Sequence, residues 1–250
     1  PQPRLFRFIE DKAVINRMGF NNYGAAAAGP RVASARADLE TEYRPEKRPI
    51  IGVNIGKTKI VELENAIEDY LISTRTLAPQ ADYLVVNVAI PNTPWLRSLQ
   101  SVETLRPILE AVREASDRAA RRHVPLLVKI APDLADEDID AVAQMVLDMG
   151  LDGVVATNTT IDHDLGEGGL SGAPLLPRAL EVVRRLRRGL GQEPTIIGVG
   201  GISSIMDAEL MLDAGADLLQ AYTAFIYNGP AWPGRMNRAL ATGFPARVTG

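Results

Sequence analysis

Polar side chains stand at the ends of several apolar segments of this sequence, and they are the residues best able to do chemistry. Asn54 and Asn87 provide amide groups, and Lys129 provides a single cation in an apolar segment. Amides at several strand ends can bind a flat heterocycle that carries alternating hydrogen-bond donors and acceptors. The lysine favours an anionic ligand, although a snorkelling or salt-bridged lysine would give the same pattern. Strand-end capping explains each Asn equally well when it is taken alone.

Glycine-rich turns indicate a second kind of chemistry, the binding of a phosphate. The pair Gly200-Gly201 follows an apolar segment, so its backbone N–H groups can approach a phosphate, and the helix that follows adds its positive end. Tyr222-Thr223 would complete the site with a hydroxyl and main-chain N–H groups, and Gly172 could lie against a ligand ring. Two simpler interpretations stay open, namely a tight turn at Gly200-Gly201 and a helix lead-in around Gly172.

Val- and Ile-rich segments alternate with amphipathic segments, which predicts a parallel sheet with helical crossovers. The predicted strands are Ile50–Ile55, Tyr83–Val88, Pro125–Ile130, Gly153–Thr157, Thr195–Val199 and Asp217–Ala221. The predicted helices are Val61–Thr76, Val102–Arg121, Asp136–Met149, Pro174–Leu190, Ile205–Ala214 and Trp232–Ala241. The order predicts an α/β fold of the (β/α)8 TIM-barrel family, with about six β/α units in one domain over residues 1–250. The strand ends of such a barrel converge on one catalytic face.

No further strand pair is predicted in residues 1–49. This region has the pattern of a short hairpin-like stretch at Arg4–Glu10, a turn at Met18–Gly24 and an Ala-rich helix broken by Gly29-Pro30. Six parallel strands leave two open edges, which we expect at the first and last predicted strands. We expect residues 1–49, through Leu5, Phe6, Phe8 and Ile9, or a partner chain to cover this gap. Closure of the six strands on themselves is the alternative.

Composition excludes several classes of function. The chain has 250 residues with no Cys and only two His, which excludes disulfides, a thiolate nucleophile and Cys- or His-rich metal sites. The net charge of −4 gives no support to nucleic-acid binding. No apolar run reaches the roughly 18 residues of a membrane span. As it stands, the chain is therefore expected to be cytoplasmic.

An ordered set of motifs resembles dihydroorotate dehydrogenase, in its membrane-associated, quinone-using class. The motifs are NRMGFNN (16–22), GVNIGKTK (52–59), NVAIPNTPWLRSLQ (87–100), LLVKIAPDL (126–134), ATNTT (156–160), GGLSGAPL (168–175), IIGVGGI (196–202) and QAYTAFIYNGP (220–230). The resemblance covers about residues 1–243. It implies a (β/α)8 barrel holding FMN, oxidation of dihydroorotate to orotate in pyrimidine biosynthesis, and reoxidation of the flavin by quinone. It also implies a location on the cytoplasmic side of the inner membrane, and it allows a homo-oligomer.

The resemblance also implies roles for single residues. FMN would be held by Asn54, Asn87, Lys129, Thr157, Gly172, Gly200, Gly201, Tyr222 and Thr223. The substrate would be bound by Asn16, Arg17, Met18, Gly19, Phe20, Asn87, Asn92, Asn158 and Thr159. Lys129 would place positive charge beside the flavin ring and favour its reduced anionic form.

Three departures from the family pattern bear on activity. The family has two serines where this chain has Ala89 and Ile90, and the second serine is the catalytic base. Ile90 cannot accept a proton, and general base catalysis contributes roughly 10²–10⁴ in rate, so we expect impaired activity. Trp95 replaces a family Gly in the same loop. The chain also starts late, so we expect it to lack the family's N-terminal membrane helices and first two β/α units.

Two other classes of function stay open. One is a catalytically inactive, truncated or engineered barrel scaffold that retains a flavin or phosphate site. The other is a different phosphate-binding barrel enzyme, such as a sugar-phosphate isomerase, which is disfavoured because no Glu or His stands at a strand end.

Overall fold

The strands form two separate sheets. The computed structural model describes residues 2–19, 21–88 and 101–243. The strands in these ranges are β1 (Leu5–Phe8), β2 (Ala13–Asn16), β3 (Gly52–Gly56), β4 (Tyr83–Asn87), β5 (Leu126–Ile130), β6 (Gly153–Ala156), β7 (Gly169–Gly172), β8 (Thr195–Val199) and β9 (Leu218–Gln220). Six of them pair in parallel in the order β3-β4-β5-β6-β8-β9, and β1-β2-β7 form a small antiparallel sheet. The large sheet, with its crossover helices, confirms six β/α units of a (β/α)8 barrel.

Helices connect the parallel strands and cover the outer face of the sheet. They are α1 (Ala25–Glu42), α2 (Ala66–Leu77), α3 (Val102–Ala120), α4 (Asp136–Asp148), α5 (Leu176–Leu190), α6 (Ile205–Asp213), α7 (Thr223–Asn228) and α8 (Trp232–Gly243). The apolar spacing of α3 shows why they pack there, since Leu105, Ile108, Leu109 and Val112 fall on one face and are buried. Within the described ranges, no helix combines the length and the apolar character that crossing a membrane requires.

Side chains from alternate strand positions fill the inner face of the curled sheet. Val85, Leu127, Val155 and Ile197 form one buried inner cluster, and their neighbours in sequence face the helices instead. Because side chains alternate along a strand, the residue two positions further on points to the same inner side. Asn87 and Lys129 therefore lie one layer above this cluster, toward the C-terminal ends of the strands.

The prediction that residues 1–49 contain no further strand pair is wrong, because two strands there form an antiparallel hairpin. β1 and β2 pair antiparallel, with Phe6 opposite Ile15, and β2 pairs on its other side with β7. We had not predicted β7, because the four residues Gly169–Gly172 are too short and Gly-rich to show a strand pattern. The phenylalanines of β1 pack on the small buried cluster of this sheet.

The prediction that Gly29-Pro30 breaks the Ala-rich helix is wrong. α1 runs through Pro30 without interruption to Glu42. A Cβ added at Gly29 would lie 3.0 Å from the Thr76 methyl group, so this glycine lets α1 pack closely on α2. Tertiary packing of this kind outweighs the one internal hydrogen bond that the proline removes.

The hairpin does not cover the open edges of the large sheet. β3 and β9 are its two terminal strands, as expected, and they do not pair with each other, so closure of six strands is not found. The expectation that Leu5, Phe6, Phe8 and Ile9 cover the gap is also wrong, since the hairpin pairs with β7 and Ile9 is 72% exposed. β1 keeps a free edge, but it pairs with neither β3 nor β9. Coverage of the gap by a partner chain stays a prediction.

Candidate functional site

One cavity of about 930 Å³ lies at the C-terminal ends of the parallel strands. All nine residues for which we predicted a cofactor-binding role line it, although they come from seven different chain segments. They are Asn54, Asn87, Lys129, Thr157, Gly172, Gly200, Gly201, Tyr222 and Thr223. A concave site of this size, with convergent polar groups from several strand ends, is the usual place for a ligand in a β/α barrel.

The strand register places Asn87 and Lys129 side by side. They are Cα partners in the β4–β5 ladder, and Asn87 is also the partner of Gly56 at the end of β3. Asn87 is 3% exposed. A buried amide and an ammonium group therefore stand together at the bottom of the cavity, directly above the apolar inner cluster.

Lys129 brings a positive charge to the floor of this cavity. In the part of the chain that the structure describes, its ammonium group makes neither a hydrogen bond nor an ion pair. Burial lowers the pKa of Lys129, because the charged form loses solvation without a compensating partner. A cation in this position can be stabilised by an anionic or electron-rich ligand in the cavity.

The loop after β6 brings three further predicted residues to the cavity. Thr157, Asn158 and Thr159 all line it. The backbone N–H of Asn158 donates to Ile130 O at 2.8 Å, which holds the loop against the end of β5. The hydroxyl of Thr159 is buried and has no hydrogen-bond partner within the described residues, so it is available to a ligand.

Asp133 anchors this loop from the neighbouring strand. Its carboxylate accepts hydrogen bonds from the Thr160 hydroxyl and from the backbone N–H of Ile161, the latter at 3.1 Å. Arg178 in turn donates to the carbonyls of Pro132 and Leu134 at 3.0 and 2.9 Å, on either side of Asp133. The loops after β5 and β6 are therefore tied together beneath the residues that reach the cavity.

The turn at Gly200-Gly201 lies at the end of β8, next to the end of β9. Val199 is the Cα partner of Gln220, so this turn and Tyr222-Thr223 begin at neighbouring strand ends and line the same cavity. Gly201 has φ +78°, and a Cβ there would lie 2.6 Å from Leu176 N. Glycine is thus required both for the backbone conformation and for the close approach to α5. Phosphate binding at this turn stays a prediction.

The start of the helix after this turn is capped by side chains of its own first turn. Ser204 and Asp207 form a reciprocal capping box at the start of α6. The Asp207 carboxylate accepts from the backbone N–H groups of Ser203 and Ser204 at 3.0 and 2.8 Å. Burial would raise the pKa of Asp207, but these hydrogen bonds, with those of the two serine hydroxyls, hold it below its usual value. The N–H groups of Ser203 and Ser204 therefore already have an acceptor, and the contribution of α6 to a phosphate site stays a prediction.

The hairpin and β7 close one side of the cavity. The Ser171 hydroxyl lies 2.8 Å from that of Thr223 and donates to Val14 O at 3.2 Å. Gly172 has φ +106°, and a Cβ there would lie 2.3 Å from Lys12 O, so the glycine lets β7 approach the hairpin turn. This contact joins the small sheet to the start of α7.

The predicted substrate residues are only partly brought together. Asn16 and Met18 line the cavity with Asn87, Asn158 and Thr159, whereas Arg17 and Gly19 do not. Arg17 instead donates to Pro3 O at 2.8 Å, lies over the Phe6 ring and approaches Glu167. Phe20, Ala89, Ile90, Asn92 and Trp95 lie outside the described residues, so the predictions made for them stay predictions.

Sequence reasoning missed one wall of the cavity. This wall comes from the hairpin turn and from α7 and α8, where no polar strand end marks a site. Its members include Lys12, Asn21, Ser171, Tyr227, Asn228, Trp232, Pro233, Met236, Asn237 and Leu240. The four apolar residues of α8 have ordinary amphipathic spacing, which is typical of a core helix and gave no signal for a site.

Comparison with known proteins gives a consistent result. The family model for dihydroorotate dehydrogenase matches residues 1–243. A dihydroorotate dehydrogenase (quinone) of Pseudarthrobacter chlorophenolicus is 64% identical over 96% of this chain and 70% of its own length. One from an Arthrobacter species is 62% identical over 98% of this chain and 71% of its own length.

A solved structure agrees with the sequence comparisons. The DHODH of Eimeria tenella in complex with ferulenol superposes with a TM-score of 0.87 at 35% identity, covering 97% of this chain and 71% of that one. The family match over almost the whole chain, together with these identities, settles the relationship. The chain belongs to the dihydroorotate dehydrogenase family, in its quinone-dependent class.

Proposed function

We propose that this chain binds FMN in the cavity described above and oxidises dihydroorotate to orotate, with a quinone as the final electron acceptor. The observation that carries the proposal is Lys129, a cation without a partner among the described residues that lies beside the buried Asn87 in a cavity at the strand ends. Family membership suggests the reaction, and the described cavity residues offer groups suited to holding the flavin and the substrate. In the cell, this function belongs to pyrimidine biosynthesis.

The residues present fit the flavin. An anionic reduced ring needs a nearby cation, and Lys129 is the cation of the cavity floor. A heterocycle with alternating donors and acceptors needs amides, and Asn54 and Asn87 line the same cavity. A phosphate needs small residues and hydroxyls, which Gly200-Gly201 and Thr223 provide from adjacent strand ends. Asp207 accepts the N–H groups of Ser203 and Ser204, so the turn at Gly200-Gly201 and Thr223 are the groups that we assign to the phosphate.

The substrate binds on the side of the cavity where further amides meet. Lys129, Asn87 and Thr223 would hold FMN, and the bound flavin would supply the acceptor for the hydride of dihydroorotate. Asn16 is fixed in place, because its side-chain oxygen accepts from Met18 N at 3.2 Å. Asn158 is held by the Ile130 carbonyl, and Thr159 offers its hydroxyl without competition from a described residue. These groups orient the pyrimidine edge, and the low exposure of the cavity floor keeps water away from the reacting carbon.

Ile90 determines how fast the reaction can run. The oxidation must release a proton as well as a hydride, and an alkyl side chain cannot take that proton. We therefore propose that substrate binding and flavin binding are retained, whereas the proton-transfer step is slow. Ile90 also favours the alternative function, which is an inactive barrel that retains only a flavin or phosphate site.

Anaerobic reduction of the bound flavin separates these possibilities. The protein is loaded with FMN and mixed with dihydroorotate, and the flavin absorbance is followed with time. The double substitution Ala89→Ser and Ile90→Ser restores a hydroxyl, so it should raise the reduction rate by roughly 10²–10⁴. A double variant that binds FMN and orotate but stays fully oxidised would support the scaffold. Failure of orotate to perturb the flavin spectrum would contradict the proposed substrate.

A further inference from the structure

Tyr70 is a buried titratable residue outside the cavity that contacts the backbone of a cavity residue. It lies on α2, it is completely buried, and its hydroxyl donates to the carbonyl of Asn87 at 2.9 Å. Asn87 is the last residue of β4, and Asn87 and Val88 lead directly into the segment that contains Ile90. The phenol thus holds the main chain at the point where β4 ends.

The same hydroxyl also reaches the end of the neighbouring strand. Burial raises the pKa of Tyr70, and a hydrogen bond with the backbone of Lys57 opposes that effect. Lys57 is itself 3% exposed, and its ammonium group donates to the carbonyls of Thr58, at 2.8 Å, and Val61. One phenol therefore connects the segments that follow β3 and β4, the two strands that bring Asn54 and Asn87 to the cavity.

The position of Tyr70 is more specific than core packing requires. A phenylalanine would fill the same apolar space, whereas a buried hydroxyl is costly unless its hydrogen bonds are made. The carbonyl of Asn87 has the same requirement, because a buried acceptor that loses its donor is strongly disfavoured. Hydroxyl and carbonyl therefore fix each other, and a rotation of the Asn87 peptide would break the contact.

We propose that Tyr70 is a positioning residue for the ligand site, holding the Asn87 main chain so that its amide stays directed into the cavity beside Lys129. It does not touch the ligand. Its hydroxyl acts through Asn87 and through the Lys57 segment. The part of this inference that concerns ligand affinity rests on the proposed function, whereas the part that concerns the ends of β3 and β4 does not.

Tyr70→Phe tests the proposal, because it removes only the hydroxyl and keeps the ring. Tyr83→Phe is the matched control, since Tyr83 lies at the opposite end of β4 and its hydroxyl makes no hydrogen bond among the described residues. Two measurements are made on both variants and on the unchanged chain. One is hydrogen–deuterium exchange of the flavin-free protein, and the other is the binding of FMN and orotate, followed by the flavin absorbance.

Tyr70→Phe should speed exchange at the backbone amides of 55–58 and 86–88, but not at β6 or β8, where no contact is lost. Orotate binding should weaken about tenfold, as expected for one lost buried hydrogen bond. Tyr83→Phe should change neither quantity.

Unchanged exchange at 86–88 in Tyr70→Phe would overturn the proposal, whatever the ligand result. Faster exchange with unchanged FMN and orotate affinities would also overturn it, because Tyr70 would then be structural only. If the unchanged chain binds no FMN, the proposed function fails. The inference about ligand affinity then fails with it, and exchange at 55–58 and 86–88 in Tyr70→Phe decides only whether Tyr70 holds the ends of β3 and β4.

Discussion

The hydroxyl of Ser171 lies 2.8 Å from the hydroxyl of Thr223, and both side chains are buried. This contact joins β7 of the small sheet to the start of α7, three residues after β9 of the large sheet. Ser171 also donates to Val14 O, so its position is set by the hairpin. The hairpin therefore helps to place a hydroxyl that we assign to the flavin phosphate.

Ser171→Ala should weaken FMN binding about fivefold to tenfold, as expected for the loss of one buried hydrogen-bond partner. The effect arises because Thr223 is then free to rotate away from the cavity. FMN affinity is measured by quenching of flavin fluorescence. Ser116→Ala is the control, since Ser116 is also fully buried but donates to Arg113 O on α3, far from the cavity. Equal losses of affinity in both variants would contradict this role.

Lys129→Met should have opposite effects on stability and on ligand binding. Without FMN, the substitution removes a buried cation and should increase the free energy of unfolding near pH 7. FMN binding should weaken about tenfold to hundredfold, as is typical when a hydrogen bond to a charged group is lost. Lys47→Met, at an exposed position, should change neither quantity. A less stable flavin-free Lys129→Met would show that the cation has a partner that this account omits.

The pH dependence of the unchanged flavin-free chain gives a second test of Lys129. Because folding lowers the pKa of this lysine, the unfolded chain binds more protons between the folded and unfolded values. The contribution of Lys129 to stability therefore rises as pH approaches about 10. Denaturant titrations at about pH 7 and about pH 10 should show that the extra free energy of unfolding of Lys129→Met over the unchanged chain becomes smaller as the pH rises. A constant advantage would contradict the burial of this charge.

Gly201→Ala should destabilise the protein by about 2–4 kcal/mol and abolish measurable FMN binding, because the new Cβ meets the backbone of Leu176. Gly150→Ala is the matched control, since Gly150 also has positive φ but nothing lies within 4 Å of the added Cβ. Gly150→Ala should lower the free energy of unfolding by only about 1 kcal/mol and leave FMN binding unchanged. Similar losses in the two variants would mean that backbone conformation, rather than contact with α5, requires Gly201.

Asp82 should contribute to stability without contributing to the site, because it lies at the N-terminal end of the barrel strands. Its carboxylate accepts from Arg48, Arg36 and the N–H of Ile51 at 2.7 to 2.9 Å. Burial alone would raise the pKa of Asp82, but these donors hold it far below its usual value. The stability that Asp82 contributes is therefore complete above about pH 4 and is lost as the pH falls further.

Asp82→Asn should lower the free energy of unfolding by about 1–3 kcal/mol at pH 7 and make the remaining stability less sensitive to acid. FMN affinity should not change. Asp38→Asn, at an exposed position on α1, should change neither the free energy of unfolding nor its dependence on pH. If Asp82→Asn and the unchanged chain lost stability equally as the pH fell below about 4, Asp82 would be excluded as the cause of that loss.

The β/α order and the cavity lining could be predicted because both depend on local patterns. Buried parallel strands such as β5 and β8 are mostly apolar, so polar residues such as Lys129 near their ends are easy to locate in the sequence. The strand Gly169–Gly172 could not be predicted, because its pairing with the hairpin depends on a partner more than 150 residues away. The α8 wall was missed for the same reason, since Trp232 and Met236 look like core residues until their neighbours are known.

Two expectations considered only the local chain. The predicted break of a helix at Gly29-Pro30 is wrong, because Gly29 packs α1 on α2. Arg17, expected at the substrate, donates to the Pro3 carbonyl and does not line the cavity. The contribution of the start of α6 to a phosphate site stays a prediction.

Titration of the flavin-free protein with FMN tests the central claim most directly. The account predicts one FMN per chain, with a shifted flavin spectrum that changes again on addition of orotate. It also predicts that Lys129→Met weakens this binding while Lys47→Met does not. Absence of FMN binding by the folded protein, or binding that is indifferent to Lys129, would contradict the assignment of this cavity as the flavin site.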